Sequence, residues 1–229
     1  MNLKKILAAA FVAGAMTVGA FAKNHPYGMD IAAGIVGFEA IEYKYNGAET
    51  KYNVVNFFPI KINTYDCFWL NNHLGIYASI GLHPGVKLNE ETKIGGAKTT
   101  NDKGYLNCGF EFMTGPAFGV DFGDSSVRFQ VGAPLHFMGG VYYRDEKNSD
   151  TKYTLEYGAV GFALTPQFRF MANRRCSLVV GADFVFDFVM NFTEKVETNN
   201  AVTTRAFHPS DELRFAWTPY IGLGINFGK

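Results

Sequence analysis

The chain has 229 residues, with 21 basic and 21 acidic side chains and a formal net charge of zero. That balance excludes the basic excess expected of a nucleic-acid binder. Phe (22), Tyr (12) and Gly (25) are abundant, while the three cysteines, Cys67, Cys108 and Cys176, are too few and too oddly numbered for a disulfide framework and match no metal spacing. They read as small apolar residues, and no cofactor is implied.

Lys4 and Lys5 precede an apolar run from Ile6 to Phe21, and Ala20-Phe21-Ala22 offers an A-x-A cleavage site before Lys23. These are the three parts of a secretory signal peptide. The expected organisation is therefore a signal peptide over residues 1–22 and one domain over 23–229. Without Lys4 and Lys5 the charge balance is 19 basic to 21 acidic. After Lys23 no run of about 18 apolar residues encodes a membrane-crossing helix.

Eight strands are predicted from period-two alternation: Met29 to Tyr43, Lys51 to Asp66, Leu74 to Pro84, Gly104 to Phe122, Ser126 to Tyr143, Tyr153 to Met171, Ser177 to Phe192 and Leu213 to Phe227. The seventh is the clearest. From Leu178 to Phe192 every even position is apolar, while Ser177, Gly181, Asp183, Asp187 and Asn191 occupy odd ones. The connections between strands alternate in kind along the chain. Phe68–His73, Gly123–Ser125 and Ala172–Cys176 are short. The segments around Lys44–Thr50, Gly85–Lys103, Arg144–Lys152 and Thr193–Glu212 are longer and more polar. Short turns on one rim and long loops on the other describe a membrane barrel. The predicted fold is all-β: an eight-stranded antiparallel up-and-down transmembrane β-barrel with short periplasmic turns and long extracellular loops.

Volume decides which face points outward. Eight strands enclose a lumen barely wide enough for side chains. One face of each strand carries several bulky residues, such as Phe162, Leu164, Phe168 and Phe170, and the other carries Gly, Ala and polar groups. The bulky face must therefore meet lipid. The inward candidates are Asp30, Lys61, His83, Glu111, Arg128, His136, Arg169, Asp183, Asp187 and Arg214. They form either a selectivity region or a network of mutually satisfied charges. Aromatic residues at strand ends, Trp69, Tyr105, Tyr142, Tyr143 and Tyr153 among them, are expected in interfacial girdles. Pro59, Pro84, Pro116, Pro134, Pro166 and Pro219 fall in or beside strands, which predicts bulges or breaks in pairing; a lateral opening in the wall is a further consequence they allow.

Tyr220-Ile221-Gly222-Leu223-Gly224-Ile225-Asn226-Phe227 resembles the C-terminal assembly signal of the small eight-stranded outer-membrane proteins, the group that includes OmpX, OmpW and the OmpA membrane domain. Tyr220, Gly222, Ile225 and Phe227 carry that likeness, although Gly228 and Lys229 follow the aromatic. The resemblance implies outer-membrane localisation after export, contact with outer-membrane lipid, and handling by the barrel-assembly machinery. It implies a non-enzymatic scaffold whose four surface loops meet an extracellular ligand, with narrow passage of small solutes as an addition. An OmpW-like conduit for small apolar molecules is the alternative. An enzymatic alternative rests on His208, Ser210 and Glu212, which share a face of an extended chain and faintly resemble the His-x-Ser of outer-membrane lipid A deacylases.

Overall fold

A computed structural model describes residues 28–63, 73–101, 104–122, 127–146, 151–171, 176–199 and 201–226. The predicted signal peptide, Trp69, Cys67, Phe227 and most of the short turns lie outside the described residues.

The strands are β1 (Gly28–Ala33), β2 (Val36–Tyr45), β3 (Ala48–Phe57), β4 (Ile60–Asn63), β5 (Leu74–Ile94), β6 (Ala97–Asn101), β7 (Tyr105–Phe122), β8 (Val127–Gly132), β9 (Leu135–Glu146), β10 (Thr151–Met171), β11 (Cys176–Thr198), β12 (Ala201–Phe207) and β13 (Ser210–Asn226). All their pairings are antiparallel, and they close a ring of eight staves. In order these are β1 with β2, β3 with β4, β5, β7, β8 with β9, β10, β11, and β13, which pairs back onto β1 and β2. β6 and β12 stand outside the ring, each paired to the upper end of a stave.

Three staves are broken in two, at Gly34-Ile35, Phe58-Pro59 and Ala133-Pro134. Two of these breaks are at prolines, which cannot donate to the ladder. Backbone bonds bridge them: Gly34 N donates to Pro59 O at 2.8 Å, Ala133 N to Pro116 O at 2.9 Å and Ala163 N to Pro134 O at 2.9 Å. The described wall is therefore continuous, and the lateral opening is not present in it. Pro84, Pro116, Pro166 and Pro219 sit within strands without ending them.

Several staves run well past the predicted ends. β11 has 23 residues and β5 and β10 have 21 each, whereas about 9–11 tilted residues cross a bilayer. The segments assigned to surface loops are largely strand. Asn46 (φ 48°) and Gly47 (φ 77°) make a tight turn between β2 and β3, and Gly95 (φ 56°) and Gly96 (φ 86°) make one between β5 and β6. Positive φ at two successive residues is the hairpin turn geometry that Asn-Gly and Gly-Gly favour. Thr193–Glu212 folds largely as the β11–β12 hairpin, with Phe192 opposite Phe207.

The outer face of the lower wall is apolar. Ile31, Phe38, Leu82, Phe110, Leu135, Phe162, Phe168, Leu178, Ile221 and Leu223 are all exposed. Phe38 stacks on Trp217, and Phe162 on Phe186, across neighbouring staves. Cys108 shares this face with Leu106 and Phe110, a fitting site for a small apolar residue. Above the band the outward residues turn polar: Glu42, Lys44, Lys51, Asn53, Glu156, Asn191 and Asp211. Lys51 pairs with Glu42 at 2.7 Å, and Lys44 with Asp211 at 3.0 Å.

The inward face inverts at the same height. Below, it is charged; above, Ile41, Tyr43, Tyr52, Val54, Met138, Tyr142, Tyr157, Met190 and Phe192 pack together. A bulge on β11 helps make this switch. Val160 pairs with Val189 but Gly161 pairs with Asp187, leaving Phe188 without a counterpart. Phe188 and Val189 both point outward, 54% and 44% exposed. Below them odd positions such as Asp183 and Asp187 face in; above them Met190 and Phe192 do. The single even-numbered apolar face expected of this strand is thus two faces joined by a bulge.

Candidate functional site

The ten charged residues predicted to face inward are all buried. Two tiers account for nine of them. In the lower tier Arg169 pairs with Asp30. Gln167 Nε2 donates to Asp30 Oδ2 at 3.0 Å and to Gln130 Oε1 at 3.2 Å, and Tyr220 donates to Gln167 Oε1 at 3.1 Å. Just above, Lys61 Nζ reaches both oxygens of Asp183, at 2.8 and 2.7 Å, and lies 3.7 Å above the Tyr220 ring.

The upper tier is one continuous chain. His83 Nε2 lies 3.0 Å from Glu111 Oε2, which is 3.5 Å from His136 Nε2. His136 Nδ1 is 2.7 Å from Asp187 Oδ1, and Arg214 Nη1 donates to Asp187 Oδ2 at 2.6 Å. Arg214 Nε then donates to Glu39 Oε2 at 3.0 Å. Glu39 accepts from Asn56, whose Oδ1 accepts from Asn107 at 3.1 Å. The chain ties together seven of the eight staves, all but β10. Small residues make room for the bulky side chains around it: a Cβ on Gly140 would collide with the Tyr157 ring. Arg128 stands apart near the short-turn end, donating to Asp121 Oδ1 at 2.8 Å across β7 and β8.

Glu39, Asn56, Asn107, Gln130 and Gln167 belong to these tiers although the sequence did not single them out. Glu39 was hidden by Glu42, an acidic residue of opposite parity on the same strand that faces outward. The break at Gly34-Ile35 also shifts the inward positions from even in β1 to odd in β2.

The expected aromatic girdle is largely not at the lipid interface. Among its described members Tyr143 faces outward, while Tyr142 is 1% exposed and stacks on Tyr157 inside the barrel, ring centroids 5.0 Å apart. Tyr105 and Tyr153 line the mouth. The physical reason is the inversion: these residues stand above the apolar band, where the outer face meets water and aromatic rings turn inward. Of the assembly-signal residues, Tyr220 points in, Gly222 backs onto Ala32, and Ile225 points out; Phe227 lies outside the described residues.

His208, Ser210 and Glu212 do not come together as a catalytic trio. His208 is bonded to Asn191, Ser210 Oγ donates to the Lys44 carbonyl at 3.3 Å, and Glu212 accepts from the Met190 amide at 2.8 Å. Activation of a Ser hydroxyl needs a base within hydrogen-bond reach of it.

Above the aromatic layer the barrel opens into a cup of about 210 Å³. Its lining includes Tyr43, Tyr45, Tyr52, Tyr105, Tyr142, Tyr153 and Phe207, with Lys87, Arg205, Glu90 and Glu194. Lys87 is buried at its floor, between the rings of Tyr105 (3.8 Å) and Tyr52 (4.3 Å), and bonds Glu90 at 2.9 Å. The hydroxyls of Tyr43 and Tyr52 bond each other at 2.9 Å.

A charge-filled interior, an apolar outer belt and a closed ring of eight antiparallel staves define a membrane-spanning β-barrel. The fold is that of the small outer-membrane barrel proteins. A major outer-membrane protein of Thermus thermophilus matches with a TM-score of 0.53 at 15% identity, over 86% of this chain and 99% of that one. Neisserial surface protein A matches with a TM-score of 0.43 at 11% identity, over 88% and 97%. The outer-membrane protease OmpT of Escherichia coli matches at 0.39 and 8%, over 88% and 97%. At such identities the likeness is one of fold. No family model matches the chain, and no curated protein matches its sequence.

Proposed function

We propose that the chain is an integral outer-membrane protein whose barrel is a closed, non-enzymatic scaffold and whose long-hairpin rim makes the external contacts. The observation that carries this is the chain of buried contacts from His83 to Asn107, capped by the aromatic layer of Tyr43, Tyr52, Tyr142, Tyr157 and Phe192. A lumen crossed by paired charges leaves no free path for ions, because moving one partner strands the other. An apolar conduit fits less well, since apolar cargo would have to pass those charges and the breaks at Pro59 and Pro134 are bridged by backbone bonds.

Single-channel recording of the refolded protein in a planar bilayer tests this, with heat-modifiable gel migration as evidence of folding. The expected result is a folded barrel without conductance steps. Discrete, reproducible steps would overturn the closed scaffold and make Arg214 and Asp187 a selectivity region.

A further inference from the structure

The cup at the long-hairpin mouth is a built cavity that the scaffold does not need, and its chemistry specifies a ligand. Its charged lining is balanced, with Lys87 and Arg205 against Glu90 and Glu194. An anion would meet the two carboxylates. A cation would seek the tyrosine faces, but the chain's own cations already occupy four of the six that line the cup. Lys87 sits over Tyr52 and Tyr105, Arg144 over Tyr105 and Tyr153 at 5.0 and 4.8 Å, and Arg205 over Tyr45 at 4.9 Å.

A neutral, multiply hydroxylated molecule with one apolar face meets neither objection. The apolar face has a surface to lie on: Phe207 packs against Tyr45 and Phe192, at 4.7 and 5.3 Å between ring centroids, and Tyr43 is beside it. Its hydroxyls have both donors and acceptors in reach, in the Lys87 ammonium, the Arg205 guanidinium, the tyrosine hydroxyls and the carboxylates of Glu90 and Glu194. Charged partners make the stronger hydrogen bonds, and tyrosine offers an amphipathic contact at little conformational cost. The volume equals roughly seven waters, room for one sugar ring.

We propose that this cup binds a neutral pyranose, as the terminal residue of a glycan. The proposal deepens the reading that the rim makes the external contacts, and it stands or falls on a different measurement from the conductance test. The experiment is saturation-transfer-difference NMR on the full chain in nanodiscs of phosphatidylethanolamine and phosphatidylglycerol. The probes are the methyl pyranosides of glucose, galactose, mannose and N-acetylglucosamine, with tetramethylammonium and acetate as charged comparators and empty nanodiscs as the blank. Expected is transfer to at least one pyranoside, strongest on its C–H face, and neither comparator. Ala48→Trp, which fills the cup from its rim without touching the charged tiers, should cut that transfer at least tenfold while keeping heat-modifiable migration. Tyr45→Ala should weaken it several-fold. No transfer to any pyranoside, transfer to a comparator in their place, or full transfer in folded Ala48→Trp would each overturn the proposal.

Discussion

The lower and upper halves of this barrel obey opposite rules. In the lower half Asp30, Lys61, Arg169, Asp183, Asp187 and Arg214 face in, and Phe162, Phe168, Leu178 and Leu223 face out. In the upper half Tyr43, Tyr52, Tyr142 and Phe192 face in, and Lys44, Asn53, Glu156 and Asn191 face out. One sheet is thus an inside-out protein below and an ordinary soluble barrel above. The backbone hydrogen bonds are the same in both, so the difference comes from what surrounds the wall. A basic residue on the lipid face at the midplane costs about 2–4 kcal/mol, whereas water favours the reverse arrangement through burial of apolar area.

The junction between the halves is the place to break the comparison most severely. Deleting Val185, below the β11 bulge, forces one side of that strand to the wrong face. If the upper part holds its place, Asp183 turns toward lipid, strands Lys61 and brings Phe184 into the lumen; if the lower part holds, Asp187 turns, strands Arg214 and brings Phe186 in. A broken buried pair alone costs about 3–5 kcal/mol, a large share of the whole stability of an ordinary domain. The expected outcome is no heat-modifiable species on refolding. Deleting Phe188 instead removes only the extra residue and leaves Asp187 and Met190 inward with Val189 outward between them, so that variant should migrate like the parent. Equal damage from the two deletions would show that the parity of the strand is not what holds these carboxylates inside.

Next in size are the lower-half charges. Arg214→Met leaves Glu39 and Asp187 without their shared cation and should cost about 3–5 kcal/mol in a urea titration followed by gel shift. Lys61→Met should behave alike, but Lys61→Met with Asp183→Leu should recover most of the loss, because removing both members of a buried pair is often close to neutral. If single and double variants were equally damaged, Lys61 and Asp183 would not be acting as a pair.

These same features mark how far the sequence could be read. The lower half was legible because most staves there keep one parity, as with Phe162 to Phe170 outward and Gly161 to Arg169 inward, the two broken at Gly34-Ile35 and Phe58-Pro59 excepted, and a bilayer enforces that alternation residue by residue. The upper half was not, for two reasons. The bulge at Phe188 lets even positions stay apolar from Leu178 to Phe192 while the face they occupy changes, so the pattern carries no mark of the switch. The Asn46-Gly47 and Gly95-Gly96 turns were visible signals of tight hairpins, yet the polar residues around them also suit a loop. The candidate charges were found because ionisable residues inside an apolar alternation stand out. Neutral Asn56, Gln130 and Gln167 and the tyrosine cup did not, because only the closed ring brings them together.

Lipid and water can be compared with a single residue type. Phe162→Arg, in the middle of the apolar belt, should cost about 2–4 kcal/mol. Val202→Arg, at an exposed position of the β12 hairpin, should shift the same urea midpoint barely at all. Equal costs at the two sites would place Val202 in the membrane and move the upper border of the belt.

The smallest expected effect lies at the far tip, where Lys98 bonds Glu91 at 2.6 Å across β5 and β6. That bond holds the Glu91 carboxyl below the usual carboxylate range. A depressed folded-state value means that the pair's contribution is present above the ordinary carboxylate range and lost as pH falls through the folded value. Both side chains meet water, and exposed pairs contribute little, so Lys98→Ala should leave the urea midpoint of the whole barrel unchanged at neutral pH. Its effect should be confined to faster amide exchange in residues 90–101, and that difference should vanish in acid. A global loss of stability instead would mean that the hairpin is coupled to the wall below, and the two halves would then no longer be separable.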